Sequence, residues 1–210
     1  MKTLFIPAQL NSKIIPKEIK ALNLPKNIGI AYSVQYQKIA IRIKKILSEN
    51  HKITKFIQIL GCSKPVFPKD TQAILAISSG RFHSISLAFK TKIPVYVFEG
   101  GNLTKISNEE INSFEKRKRG SYLKFLHSEK IGVLISTKPG QENLKKALSL
   151  KDELKKKKTY LFISNELNLR EFENFPDIRS WINTACPRMD LDSSVVNISG
   201  LNFCNSKNSL

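Results

Sequence analysis

The stretch Asn183-Thr184-Ala185-Cys186-Pro187-Arg188-Met189-Asp190-Leu191-Asp192 gathers a thiol, a guanidinium and two carboxylates within ten residues. It follows Ser180-Trp181-Ile182, a β-prone run, and breaks at Pro187, which predicts that Cys186 sits at the C-terminal tip of a strand. Open α/β sheets bind ligands at that edge. A lone cysteine in a reduced protein is more often a small buried apolar residue. A second thiol in similar context, Gly61-Cys62, counts against that bland reading. Gln35, Arg81 with His83, Lys138 with Gln141, and Arg188 also fall at or just after expected strand ends. Each alone has an ordinary explanation: a core histidine, a helix-start glutamine, a turn.

Several chemistries are excluded by spacing. No C-x-x-C pair is present, so neither a tetrahedral zinc site nor a thioredoxin-like redox site is built. Lys138-Pro139-Gly140-Gln141 lacks the spacing and the Lys-Ser/Thr pair of a phosphate loop. An iron–sulfur cluster prefers three or four thiolates. Cys62 and Cys186 supply two, a deficit unless Cys204 or another chain contributes.

The elements that must position these groups follow from periodicity. A short strand is expected at Thr3 to Ile6, a proline-entered helix at Pro16 to Leu22, and a strand buried on both faces at Asn27 to Val34. Helical spacing covers Tyr36 to Asn50, and strands follow at Thr54 to Leu60, Ala73 to Ile77 and Pro94 to Phe98. Ser107-Asn108-Glu109-Glu110 fits a capping box opening a helix to Leu126. The pattern then repeats: Lys130-Ile131-Gly132-Val133 echoes Lys26-Asn27-Ile28-Gly29-Ile30, ending a strand at Ser136. A helix through Leu144 to Leu154, a strand at Thr159 to Ile163 and a short helix at Arg170 to Phe175 lead to the strand that delivers Cys186. The expected fold is α/β, with two similar domains, each a small mainly parallel sheet flanked by helices. The expected division is 1–22 as a strand and helix left from a further domain, 23–118, 119–198, and a loosely ordered tail at 199–210 that holds Cys204. Domains facing each other along their strand ends would pool both thiols in one cleft.

Composition sets the outer limits. The 210 residues carry Lys+Arg 35 against Asp+Glu 17, a formal charge of +18 with pI near 9.9. That excess suits an anionic partner, although lysines spread over helices, as in Lys155 to Lys158, equally make a solvated face. Three cysteines are no disulfide framework, the start is no secretory signal, and no apolar run approaches ~18 residues. A cytoplasmic protein with reduced thiols and no membrane partner is expected.

Taken in order, Val34-Gln35-Tyr36, Leu60-Gly61-Cys62, Ser79-Gly80-Arg81-Phe82-His83, Ser136-Thr137-Lys138-Pro139-Gly140-Gln141 and Asn183-Thr184-Ala185-Cys186-Pro187-Arg188 resemble the diphthamide synthase family, the 2-(3-amino-3-carboxypropyl)histidine synthases, from about Thr3 to Val196. The resemblance implies three similar domains, each giving one cysteine to a 4Fe-4S cluster whose open iron binds S-adenosyl-L-methionine. Cleavage of that cofactor yields a 3-amino-3-carboxypropyl radical that adds to one histidine of elongation factor 2. Cys62 matches the ligand of the middle domain and Cys186 that of the last. The family's first domain, with its cysteine, has no counterpart in these residues, and Cys204 matches no ligand position.

Three functions follow as alternatives. In one, the chain is a component of the transferase, with Gln35, Arg81, His83, Lys138, Gln141 and Arg188 lining the cofactor pocket and a separate chain, or a full-length subunit in a homo- or heterodimer, supplying the third cysteine. In another it is a non-catalytic accessory subunit of that synthase. In the last it is a basic α/β module that binds RNA or the ribosome.

Overall fold

The computed structural model describes residues 4, 6, 8–11, 15–60, 63–187, 189 and 194–205, with side chains for all of these except 202–205. The chain divides into two compact units, Met1–Phe114 and Glu115–Leu210.

In the first unit, β1 (Asn27–Tyr32) lies between β2 (Lys52–Gln58) and β3 (Ala73–Ile77), parallel to both. β4 (Val95–Glu99) joins β3 in parallel, giving the order β2-β1-β3-β4. Alternation splits the core into two layers. Ile28, Ile30 and Tyr32 pack with Ile39, Ala40, Ile43 and Leu47 of α2 (Gln37–Leu47). Ala31, Ile74 and Ala76 pack on the other side with Leu87 and Ala88 of α3 (Phe82–Thr91). The apolar run of β1 thus reflects burial on both faces, as expected.

Two elements here escape the sequence pattern. Helix α3 buries Ser84 and Ser86 beside Leu87 and Ala88, so its buried face carries hydroxyls and its periodicity is blurred. Strand β5 (Asn102–Lys105) runs antiparallel to β4 through Gly100-Gly101, both at positive φ (57° and 88°). That two-residue loop is glycine's own conformation, and Gly-Gly between two short runs was the available signal.

Of the strand expected at Thr3 to Ile6, Thr3 and Phe5 lie outside the described residues, while Leu4 and Ile6 are exposed and belong to no strand. Helix α1 (Pro16–Lys20) forms at its proline, and its Ile19 is buried in the same layer as Ile28 and Leu47.

The second unit repeats the topology. β6 (Lys130–Ser136) is flanked by β7 (Lys158–Ser164) and β8 (Ser180–Asn183), and β9 (Val195–Asn197) extends β8, all parallel. The order β7-β6-β8-β9 is that of β2-β1-β3-β4. Helix α5 (Leu144–Glu153) covers Ile131, Val133, Ile135 and Ile182, while Leu134, Trp181 and Val195 form the other layer. Trp181 stacks on Phe172, with ring centroids 4.2 Å apart. The expected loose tail is corrected in part: Ile198–Asn205 form helix α6, seeded by Ile198 and Leu201 against the layer of Val196. Residues 206–210 lie outside the described set.

Helix α4 (Asn108–His127) runs across the division between the units, uninterrupted at Gly120. Its capping box is present: Ser107 N–H donates to Glu110 Oε2 at 2.9 Å and Glu110 N–H to Ser107 Oγ at 3.2 Å.

Candidate functional site

Each unit presents loops at the C-terminal ends of its central strands, where the connections leave in opposite directions across the sheet. Such a switch point opens a crevice between neighbouring loops. In the first unit it lies between β1 and β3, and Ser33 N–H ties the two strand ends by donating to Ile77 C=O at 3.1 Å.

Gln35 sits there in a 3-10 turn (Val34–Tyr36), exposed, with its carbonyl taking the Leu10 N–H at 2.8 Å. Its Oε1 accepts from Ser33 Oγ at 3.3 Å. Arg81 precedes α3, and its guanidinium is largely committed. Nε and Nη2 donate to the two oxygens of Glu110 at 2.6 and 2.7 Å, Nη1 to Thr104 Oγ1 at 2.9 Å, and Nη2 to Lys105 C=O at 3.3 Å. Of five N–H donors, one on Nη1 is left over. The Arg81 hydrogen bonds hold the Glu110 carboxyl below the usual glutamate range, and Glu110 in turn raises Arg81. Arg81 thereby fastens the start of α3 to β5 and α4.

His83, in the first turn of α3, meets Phe82 edge-on at 5.4 Å. It lines a shallow pocket with Ile59, Leu60, Ser63, Leu87 and Lys90. Cys62 lies outside the described residues, but its neighbours are tied together. Ser63 N–H donates to Leu60 C=O at 2.9 Å, Leu60 N–H to Ser63 Oγ at 2.8 Å, and Lys90 Nζ to Ser63 C=O at 3.0 Å.

In the second unit the crevice lies between β6 and β8. Lys138, partly exposed, pairs with the exposed Glu166 at 3.0 Å. Gln141 N–H closes a turn on Lys138 C=O at 3.0 Å, with Gly140 at φ 78°. Asn143 Nδ2 bonds both Gln141 C=O (3.3 Å) and Thr184 C=O (2.8 Å), so it links the Lys138–Gln141 loop to the loop that carries Cys186. Cys186 is a free thiol of intermediate exposure. Arg188 lies outside the described residues.

The structure thus ties the Gln141 turn, through Asn143, to the loop of Cys186, whereas the Lys138 side chain turns away to Glu166 and the residues that follow β7. In the other unit Gln35 and His83 lie at the corresponding edge, and the Arg81 guanidinium is turned to β5 and α4. Sequence reasoning missed Asn143, Asn183 and Asn197, the polar residues that tie the loops. The signal was there in Asn183 and Asn197, two amides closing otherwise apolar strands.

Among the described residues no group of three or more His, Cys, Asp or Glu side chains is arranged to hold a metal ion. The donor chemistry still fits an iron–sulfur cluster in part. Cys186 is a partly buried but not sealed thiol on a loop at a ligand-binding edge, whereas a fully buried core cysteine would be closed to any cluster.

The family of diphthamide synthesis proteins matches residues 1–196. A 2-(3-amino-3-carboxypropyl)histidine synthase of Methanocaldococcus jannaschii is 34% identical over 93% of this chain and 58% of that protein. Subunit 1 of such a synthase from Encephalitozoon cuniculi is 23% identical over 81% of this chain and 52% of that protein. The crystal structure of Dph2 from Pyrococcus horikoshii with a 4Fe-4S cluster superposes with a TM-score of 0.75 at 26% identity, covering 92% of this chain and 60% of that one. The chain therefore spans about three fifths of two of these relatives and about half of the third.

Proposed function

Because this chain belongs to the diphthamide synthesis protein family, we propose that it is a component of the transferase for the first step of diphthamide formation. That enzyme moves a 3-amino-3-carboxypropyl group from S-adenosyl-L-methionine to a histidine of elongation factor 2. Cys62 and Cys186 are the proposed cluster ligands. A third thiolate comes from outside these residues, in a further domain or another chain, because a 4Fe-4S cluster that leaves one iron open needs three.

The observation that carries this reading is the placement of Cys186: a partly buried, free thiol just past the C-terminal end of a central parallel strand, beside the Lys138–Gln141 loop. When bound, the cluster and S-adenosyl-L-methionine supply the radical chemistry, which is the cofactors' own. The chain's part is to hold and orient them. Gln35, His83, Lys138, Gln141 and Arg188 are the proposed pocket groups, with a cation facing the methionine carboxylate. Arg81 is proposed in a lesser part, through its one uncommitted N–H. The proposed setting is the cytoplasm, where thiols stay reduced.

The engagement of Arg81 with Glu110 and Lys138 with Glu166 favours a second reading, an accessory subunit without catalysis of its own. Anaerobic reconstitution with the chain that supplies the third cysteine, followed by iron and sulfide counting, tests the first. The wild type is expected to hold a cluster, and the Cys62→Ala, Cys186→Ala double variant to lose it. Equal iron in both would sink the transferase reading. Activity surviving in a complex built with that double variant would establish the accessory one.

A further inference from the structure

Asn183 ends β8 and Asn197 ends β9, and the two stand directly opposite each other in the parallel ladder. They are 1% and 5% exposed. A buried amide is costly unless its groups are paired, and asparagine is a poor strand residue, so its partners explain its presence.

One unambiguous donor sets the whole arrangement. Ala185 N–H can only donate, and it donates to Asn183 Oδ1 at 2.9 Å. That fixes which end of the Asn183 amide is oxygen. Its Nδ2 then gives one hydrogen to Cys186 C=O at 2.7 Å and the other to Asn197 Oδ1 at 2.6 Å. With its oxygen so engaged, Asn197 turns Nδ2 to Pro187 C=O at 2.8 Å. Cys186 C=O also accepts from Met189 N–H at 3.2 Å. Ala185, Cys186 and Pro187 are therefore each held by a backbone group bonded to a side chain in the sheet. The bonds end on the backbone and leave the sulfur free to bind.

We propose that Asn183 and Asn197 are positioning residues for Cys186, fixing the backbone of its loop so that the thiol is presented in one place to a metal cluster. Ligands held by a packed supporting layer bind metal more tightly than ligands on a loose loop. This rests on the proposed cluster, but the positioning belongs to the metal-free chain and is measurable without iron.

Asn183→Asp and Asn197→Asp keep the side-chain shape and remove the Nδ2 donor. Ile182→Val serves as the control, since it loosens the core of the same strand and touches neither amide. The first readout is the rate of iodoacetamide alkylation of Cys186 relative to Cys62 in metal-free protein, resolved by peptide mass spectrometry. Asn197→Asp loses one donated hydrogen bond, to Pro187 C=O, and Asn183→Asp loses two, to Cys186 C=O and Asn197 Oδ1. The ratio should rise up to about tenfold in Asn197→Asp, at least as much in Asn183→Asp, and stay unchanged in the control. The second readout is hydrogen exchange of the Ala185 amide in the wild type, expected to be as slow as that of β8. The third is iron per chain after anaerobic reconstitution with the chain supplying the third cysteine, expected to fall in the Asp variants and not in Ile182→Val.

An unchanged alkylation ratio in the Asp variants, or an Ala185 amide exchanging like an open loop, overturns the proposal. If the Asp variants do not fold, the wild-type exchange rate decides. A raised ratio in the Asp variants, together with a wild type that takes up no iron, upholds the positioning and rejects the cluster.

Discussion

Glu110 shows how one side chain can serve two elements. It closes the capping box of α4 with Ser107 and takes a two-pronged bond from Arg81, 29 residues earlier. Sequence spacing revealed the first role, because a capping box is local, and could not reveal the second. Its carboxyl is held below the ordinary value of 4.5, first by the Arg81 hydrogen bond. A depressed folded value means the stabilisation is present above the ordinary value and lost as pH falls through the folded one. Both partners are about a third exposed, so solvent screening leaves the loss in Glu110→Gln at about 1 kcal/mol. Urea unfolding should show that gap at pH 7 and see it close below pH 4.5. A gap that persists unchanged at low pH would mean that the charge pair contributes nothing.

At the scale of elements, the repeat reappears as a pair of glycines in the two central strands. A Cβ on Gly29 would come within 2.5 Å of the Phe67 ring, and one on Gly132 would collide with Trp181. Each glycine lets an aromatic ring lie on the backbone of the strand, so side-chain size is forbidden there by contact rather than by φ. Gly132→Ala should cost about 1–3 kcal/mol, read from urea denaturation followed by Trp181 fluorescence. Gly120, in the middle of α4, has open space within 4 Å of where an alanine methyl would stand. Gly120→Ala should therefore stabilise by about 0.5–1 kcal/mol, since alanine loses less backbone freedom on entering a helix. Two glycine-to-alanine changes of opposite sign would separate close approach from mere tolerance. The same sign for both would refute that distinction.

For the whole chain, the +18 charge and the thiol chemistry are separable properties. Charge attracts polyanions without reading sequence, so wild type and the Cys62→Ala, Cys186→Ala variant should elute from heparin at the same salt concentration. Retention that collapses in the cysteine variant would mean that the anion site and the thiols are one. No helix of the described residues is long and apolar enough to cross a membrane. The order of residues was enough to establish the parallel α/β architecture, the repeat, the capped helix and the family, because apolar period and short motifs are local and survive in one dimension. It took the folded chain to establish that Arg81 is spent on Glu110, that Asn143 joins two loops, and that Asn183 and Asn197 grip the backbone around Cys186. Apart from the local Asn183–Cys186 bond, those pairings join residues 10 to 41 positions apart whose meeting depends on strand order, and strand order is set by the packing of whole layers.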